Sequence, residues 1–138
     1  MTERVNHPSH YNVGFEVIDL IEDLDLNFHV GNWLKYFCRY KYKGTPVEDL
    51  KKGLWYLRRE KSRYYFTDGS DYKIPKRLLL TEYFAKSWEL DSTEEVFSPF
   101  KHVMEYVATH NFGELEIAIY EMQALIDTVE NLVGDKNE

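Results

Sequence analysis

Residues 28–61 read FHVGNWLKYFCRYKYKGTPVEDLKKGLWYLRREK, and this stretch decides the fold. It predicts two helices joined by a short turn. Gly44 suits the position just after a helix, because glycine adopts the left-handed conformation at little cost. Thr45 can cap the second helix and Pro46 fits its first turn, while Glu48 follows at capping-box spacing. The stretch therefore predicts a helical hairpin.

Positive charge is concentrated in the same hairpin. Residues 35–63 carry ten basic and three acidic side chains, whereas the rest of the chain carries 7 basic and 21 acidic ones. An acidic protein that gathers its cations in one hairpin has an electrostatic footprint suited to a phosphate-bearing partner. The alternative is a solvated helical face that balances the acidic helices around it. Charge alone leaves both interpretations open.

The first helix of the hairpin has two distinct faces, because side chains three and four residues apart lie together. The polar face carries His29, Asn32, Lys35, Tyr36 and Arg39. The apolar face, which predicts contact with the core, carries Val30, Trp33, Leu34, Phe37 and Cys38.

On the second helix, leucines form the apolar seam and a polar row runs beside it. The seam consists of Leu50, Leu54 and Leu57, and the row of Asp49, Lys52, Tyr56 and Arg59. Such a mixture suits a nucleotide site, since Arg and Lys neutralise phosphate, Asn reads a base edge or ribose, and Tyr offers a stacking plane. Any polar surface can contain the same groups, so geometry must decide.

Several short segments of the chain resemble the SaV-like domain, a small phage-protein family of largely unknown function. They are Asn6-His7-Pro8-Ser9-His10-Tyr11, Phe28-His29-Val30-Gly31-Asn32, Lys35-Tyr36, Arg39, Lys43, Glu48-Asp49-Leu50-Lys51-Lys52 and Trp55-Tyr56-Leu57. The resemblance covers residues 5–61. One characterised relative in that family is the nucleotide kinase of certain lytic phages, which lacks a recognisable P-loop and assembles as an oligomer. The resemblance thus implies phage origin, nucleotide handling and a homo-oligomer.

Trp33 departs from the family pattern, in which a small residue commonly follows the Gly-Asn pair. The indole either narrows the site or repacks the core.

The resemblance also includes the loop with His7, His10 and Tyr11, so we expect this loop to fold over the hairpin and line the same pocket. A metal site at the two histidines would need a third donor, and none is adjacent in sequence.

The rest of the chain predicts helices and no strand. We expect an all-α, compact helical bundle, with residues 1–62 as the hairpin core and residues 63–138 as a helical extension packed on it, in a single domain. The expected helices outside the hairpin are Phe15–Leu24, Leu78–Leu90, one that starts at 91–93 or nearer Pro99, and Phe112–Val133. The first of them turns either Phe15, Ile18 and Ile21 or Leu20 and Leu24 inward. The last is capped by Asn111. The seam of the last helix runs from Leu115 to Leu132 and Val133.

Two further features limit the chemistry. Cys38 is the one cysteine, which excludes a disulfide within the chain, and no signal peptide or membrane-spanning run is present, so we expect a cytoplasmic protein. Asp19 and Glu22 have the spacing of a magnesium-binding acidic pair. The candidates for a second pair, which form no such pattern, are Glu114, Glu116, Glu121 and Asp127, so solvated acids are the better interpretation.

No P-loop motif is present, so a phosphoryl transferase would have to hold phosphate with side-chain cations and anchor Mg²⁺ with a carboxylate. Lys35, Arg39, Lys52 and Arg59 are the candidate cations, and Asp49 is the candidate metal ligand. Three functions remain: a deoxynucleoside monophosphate kinase, a protein that sequesters a nucleotide or nucleotide-derived immune signal to evade host defence, and an inhibitor that binds a host protein. Strong nucleic-acid binding is disfavoured by the acidic remainder of the chain.

Overall fold

Helices are the secondary structure of this chain wherever the structure describes it. The computed structural model describes residues 16–41, 44–64 and 94–137. The helices there are α1 (Val17–Asp23), α2 (Phe28–Arg39), α3 (Pro46–Tyr64), α4 (Glu94–Thr109) and α5 (Phe112–Asn137). The prediction of an all-α bundle is confirmed for these residues, whereas the helix predicted over 78–90 lies outside them.

The turn between α2 and α3 differs in part from the prediction. Helix α2 already ends at Arg39, so Gly44 does not directly follow it. Gly44 does adopt the left-handed conformation, with φ +83°. The carbonyl of Thr45 accepts the amide of Asp49 at 3.0 Å, which makes Thr45 the residue at the start of α3. The carboxylate of Glu48 pairs with Lys52 at 3.2 Å.

The apolar faces of the hairpin form the core as predicted. Val30, Leu34, Phe37 and Cys38 are buried on α2, and the predicted leucine seam is buried on α3. Burial raises the pKa of the Cys38 thiol to about 12, so this side chain is a neutral core residue at physiological pH.

Trp33 belongs to the core. Its side chain is completely buried, and its ring stacks on Phe37 with 4.9 Å between centroids. Phe100 of α4 lies against both rings, 6.5 Å from Trp33 and 6.4 Å from Phe37. Trp33 therefore fills the core and gives α4 an aromatic surface to pack against.

Helices α4 and α5 form a second hairpin, and α5 packs antiparallel to α3. Asn111 caps α5 as predicted, since its side chain accepts the amide of Gly113 at 2.9 Å. Along the α3–α5 contact, Lys51 pairs with Glu130 at 3.2 Å and Lys61 with Glu116 at 3.6 Å, while Arg58 donates to Gln123 at 3.3 Å. Some cations of the basic hairpin thus face α5.

The predicted apolar seams of α1 and α5 are only partly buried. On α1 the second alternative is the observed one, because Leu20 and Leu24 are buried while Ile18 is 53% exposed. On α5, Leu115, Met122 and Ile126 of the seam are buried, Ile119 and Val129 are partly buried, and Leu132 is 57% exposed. Pro99 lies inside α4 and does not mark its start.

No helix in the described ranges combines the length and the apolar character needed to cross a membrane.

Candidate functional site

Helices α2 and α3 approach each other closely at Gly53. A Cβ atom at this position would lie 3.4 Å from Cδ1 of Trp33 and 3.6 Å from Cβ of Tyr36. This approach lets the rings of Tyr36 and Tyr56 stack, with centroids 6.1 Å apart and planes inclined by 14°. The polar faces of the two helices consequently meet along one line.

Three cations gather around the ring of Tyr36. The Nζ atoms of Lys35 and Lys52 lie 5.2 Å and 5.7 Å from its centroid, and Cζ of Arg39 lies 5.0 Å from it. These distances are within the range of cation–π attraction. We call Lys35, Tyr36, Arg39, Lys52 and Tyr56 the Tyr36 cluster. It brings together five of the residues that the sequence predicted for a nucleotide site.

A buried carboxylate lies beside the cluster. Asp49 is 1% exposed, and its Oδ1 lies 3.5 Å from Nε of Arg39. Its Oδ2 is buried and has no hydrogen-bond partner among the described residues. Asp49 therefore stabilises Arg39 in its position near Tyr36, because an unpaired buried charge would be costly on either side.

The burial of Asp49 and its contact with Arg39 bear on the predicted magnesium site. Within the described ranges, no three His, Cys, Asp or Glu side chains lie close enough to hold a metal ion. Asp49 is buried with its Oδ1 against the guanidinium of Arg39, which disfavours a second cation at this carboxylate. The assignment of Asp49 as a metal ligand stays a prediction.

His29 lies at the other end of the site, next to Tyr56. The two ring centroids are 6.3 Å apart, and the Nδ1 atom of His29 is buried without a hydrogen-bond partner among the described residues. Desolvation lowers the pKa of His29; the charge of Glu60 raises this pKa, and those of Arg63 and Arg59 lower it further. The net effect lowers the pKa of His29, which favours the neutral imidazole. Arg59 is exposed and contributes positive potential there.

The remaining predicted residues lie apart or outside the described part. Asn32 donates its side-chain amide to the carbonyl of Phe28 at 2.8 Å, one turn back on its own helix. The predicted loop residues His7, His10 and Tyr11 fall outside the described residues, so their expected place over the hairpin stays a prediction.

Sequence reasoning missed a buried acceptor next to this site. Glu60 is 2% exposed, and its carboxylate accepts hydrogen bonds from Asn27 at 3.0 and 3.1 Å, from Tyr106 at 2.7 Å and from Arg63 at 3.1 Å. Asn27 also caps α2, since its side chain accepts the amide of Val30 at 2.9 Å. Asn immediately before a helical stretch is a typical N-cap, so the sequence did contain a signal for Asn27. It contained none for Glu60, whose partner Tyr106 lies on α4.

The candidates for a second metal-binding pair form ion pairs or hydrogen bonds with other side chains. Glu114 and Glu121 flank His102, at 2.5 Å from Nδ1 and 3.3 Å from Nε2. Glu116 pairs with Lys61, and Asp127 accepts a hydrogen bond from Gln123 at 3.0 Å. On α1, Asp19 and Glu22 are exposed. The interpretation as solvated acids agrees with the exposure of Asp19, Glu22, Glu116 and Asp127, whereas Glu114 and Glu121 are partly buried against His102.

Comparison with known proteins finds a likeness for the first part of the chain. The model of a family described as a protein of unknown function, DUF3310, matches residues 5–58, which is fewer than half of the 138 residues. The Tyr36 cluster, Asp49 and His29 lie inside the matched stretch. No curated protein and no solved structure matches the chain.

Proposed function

We propose that this protein binds a nucleotide, with the phosphate at the Tyr36 cluster. The observation that carries the proposal is the convergence of Lys35, Arg39 and Lys52 on one ring. Like charges repel when held together, and an anionic ligand relieves that repulsion. Guanidinium and ammonium groups supply the charge-assisted hydrogen bonds by which proteins hold phosphate.

The surroundings of the cluster support a small ligand over a long polyanion. Lys51 and Lys61 pair with acids of α5, so the free positive surface of the hairpin is smaller than its sequence suggests. The rest of the chain is strongly acidic and repels an extended nucleic acid. A mononucleotide needs only the few cations that surround Tyr36.

The proposed reaction is phosphoryl transfer to a deoxynucleoside monophosphate, as the family resemblance implies. In that function Lys35, Arg39, Lys52 and Arg59 hold and neutralise the phosphates, which is the main demand of this chemistry on a protein. We assign the protein to the cytoplasm of a phage-infected cell and expect it to act as a homo-oligomer. The inhibition of a host protein through the basic hairpin remains the alternative that uses no small ligand.

Sequestration of a nucleotide without turnover is the second candidate function, and one observation favours it. The carboxylate predicted to anchor Mg²⁺, Asp49, is buried against the guanidinium of Arg39. Phosphoryl transfer usually relies on Mg²⁺ held by a carboxylate, whereas binding alone needs only cations. A nucleotide-derived immune signal of the host belongs to the same ligand class.

Calorimetry with mono-, di- and cyclic nucleotides and inorganic phosphate tests the binding function. We expect Lys52→Gln to weaken nucleotide binding about tenfold, because a charged hydrogen bond is lost. Glu48→Gln should strengthen binding, since it removes the carboxylate that pairs with Lys52. Lys101→Gln is the matched control, as Lys101 is an exposed lysine on α4. Equal losses in Lys52→Gln and Lys101→Gln, or no heat with any ligand, would contradict the proposal.

The kinase and sequestration functions are separated by product analysis. The protein is incubated with ATP, Mg²⁺ and each deoxynucleoside monophosphate, and the nucleotides are resolved by chromatography. Diphosphate product that disappears in Lys52→Gln supports the kinase. Binding that survives chelation of Mg²⁺, with the ligand recovered intact, supports sequestration.

A further inference from the structure

We infer that Trp55 is the platform on which the base of the bound nucleotide stacks. The inference rests on the proposed function and deepens it, because it names a recognition element for the base beside the phosphate-binding cluster. In this arrangement the phosphate lies near Tyr36, Lys52 stands between the two parts, and the planar base covers the indole. The stacking planes predicted from the sequence are tyrosines, and Trp55 is not among the predicted site residues.

Trp55 continues the row of rings that begins in the Tyr36 cluster. Its ring meets that of Tyr56 edge to face, with centroids 5.0 Å apart, and Tyr56 in turn stacks on Tyr36. Trp55 is nevertheless 56% exposed, in contrast to the fully buried Trp33. A large aromatic surface left in water at the edge of a cationic site is available for stacking, which every nucleobase can use through its π-face.

The surface around Trp55 forms an open depression beside the Tyr36 cluster. The depression measures about 550 Å³ and is lined by Val47, Glu48, Lys51, Lys52 and Trp55. Val47 and the indole provide apolar contact for a base. Lys52 can offer its charge to a phosphate that replaces Glu48 as its partner, whereas Lys51 is paired with Glu130. Lys52 lines the depression and also lies at the ring of Tyr36, so the two parts of the site are continuous.

Exposure by itself does not support this role, as Tyr120 demonstrates. Tyr120 lies on α5 and is 76% exposed, more than Trp55. Tyr120 is neither part of the Tyr36 cluster nor among the residues that line the depression at Trp55. Tyr120 is therefore a suitable control for the loss of an exposed aromatic side chain.

The test measures how tightly three variants bind ligands that contain a base and ligands that lack one. The variants are Trp55→Ala, Trp55→Phe and Tyr120→Ala. The ligands are the deoxynucleoside monophosphates and deoxyribose 5-phosphate, measured by calorimetry on full-length protein whose helicity is checked by circular dichroism. We expect Trp55→Ala to weaken nucleotide binding about tenfold or more. Binding of deoxyribose 5-phosphate should stay unchanged. Trp55→Phe should retain most of the nucleotide affinity, and Tyr120→Ala all of it.

The possible failures are distinguishable. If Trp55→Ala binds nucleotides as tightly as the unmodified protein, the base does not stack on Trp55, and the inference alone is overturned. Equal weakening of the base-free and base-containing ligands also overturns it, because Trp55 would then act on the phosphate site or the fold. If the unmodified protein binds none of the ligands, the proposed function is overturned and the inference falls with it.

Discussion

Two carboxylates of helix α3, those of Asp49 and Glu60, are buried, and they differ in the groups that they contact. Asp49 contacts one guanidinium and has an oxygen without a partner among the described residues. Glu60 receives hydrogen bonds from Asn27 before α2, from Tyr106 of α4 and from Arg63 of its own helix. A buried acid whose acceptor sites are filled from three elements stabilises their packing. At the scale of single residues, Asp49 orients a cation of the site, and Glu60 connects the helices around it.

The first prediction concerns Glu60. We expect Glu60→Gln to lower the free energy of unfolding by about 3 kcal/mol. The NH₂ group of the glutamine would face Asn27, Tyr106 and Arg63, which all donate hydrogen bonds to the carboxylate of Glu60. Urea denaturation followed by circular dichroism measures the change. Tyr106→Phe removes one of the hydrogen bonds and should cost about 1.5 kcal/mol.

Glu116→Gln is the matched control for Glu60→Gln. The side chain of Glu116 is 50% exposed and pairs with Lys61 on the surface. Loss of such a pair should change stability by less than about 1 kcal/mol. If Glu60→Gln costs no more than Glu116→Gln, the hydrogen bonds to Glu60 do not hold the helices together.

At the scale of helices, the site depends on how closely α3 lies against α2. Gly53 is located where the two helices meet, and its neighbours are Trp33 and Tyr36. An added methyl group would make ordinary van der Waals contacts at 3.4 and 3.6 Å, whereas a branched side chain would need space that those rings occupy.

The second prediction follows from these distances. Gly53→Ala should be neutral or should stabilise the protein by up to about 1 kcal/mol, because alanine favours the helix and fits the space. Gly53→Val should destabilise the protein by about 1–3 kcal/mol through overpacking. It should also weaken nucleotide binding, since a displaced Tyr36 no longer stacks on Tyr56. Thermal unfolding and calorimetry measure the two effects.

Gly31 provides the control for Gly53. Its added Cβ would lie 3.6 Å from Cγ2 of Ile21, and the three atoms nearest to this Cβ all belong to Ile21. Gly31→Ala should gain similar helix stability without a change in nucleotide affinity. A Gly53→Val protein that is as stable as the unmodified one would show that the helices separate at no cost, contrary to this account.

At the scale of the whole molecule, the two helical hairpins depend on each other. Phe100 covers Trp33 and Phe37, Tyr106 reaches Glu60, and α5 lies along α3. The buried side chains of α1 to α5 form one continuous core in the described residues. The part of the chain that matches the DUF3310 model, residues 5–58, therefore shares its core with the part that does not.

The third prediction is that a fragment of residues 1–64 does not fold on its own. Without α4 and α5, the large apolar side chains Trp33, Phe37 and Leu57 would lose part of their cover, and a chain of this length has little other core to compensate. We expect low helicity and no cooperative thermal transition, whereas the full chain should unfold cooperatively. A cooperative transition of the fragment would contradict the prediction and would make residues 1–64 a domain.

Much of the fold was predictable because helical periodicity and punctuation are local. The apolar faces of α2 and α3, the left-handed Gly44 and the cap at Asn111 were all read from neighbouring residues. The helix end at Arg39 and the exposure of Ile18 and Leu132 were not, since tertiary contacts decide how far a helix continues and which apolar residues are covered.

The sequence by itself determined the helical class, the basic hairpin and the side chains that share the polar face of each helix. Only the tertiary structure decided which cations pair with α5, which surround Tyr36, and that Asp49 is buried. The physical reason is the separation along the sequence over which each kind of interaction acts. Helix periodicity acts over three or four residues, whereas ion pairs, ring contacts and burial depend on side chains that are distant in sequence and adjacent only after the helices pack.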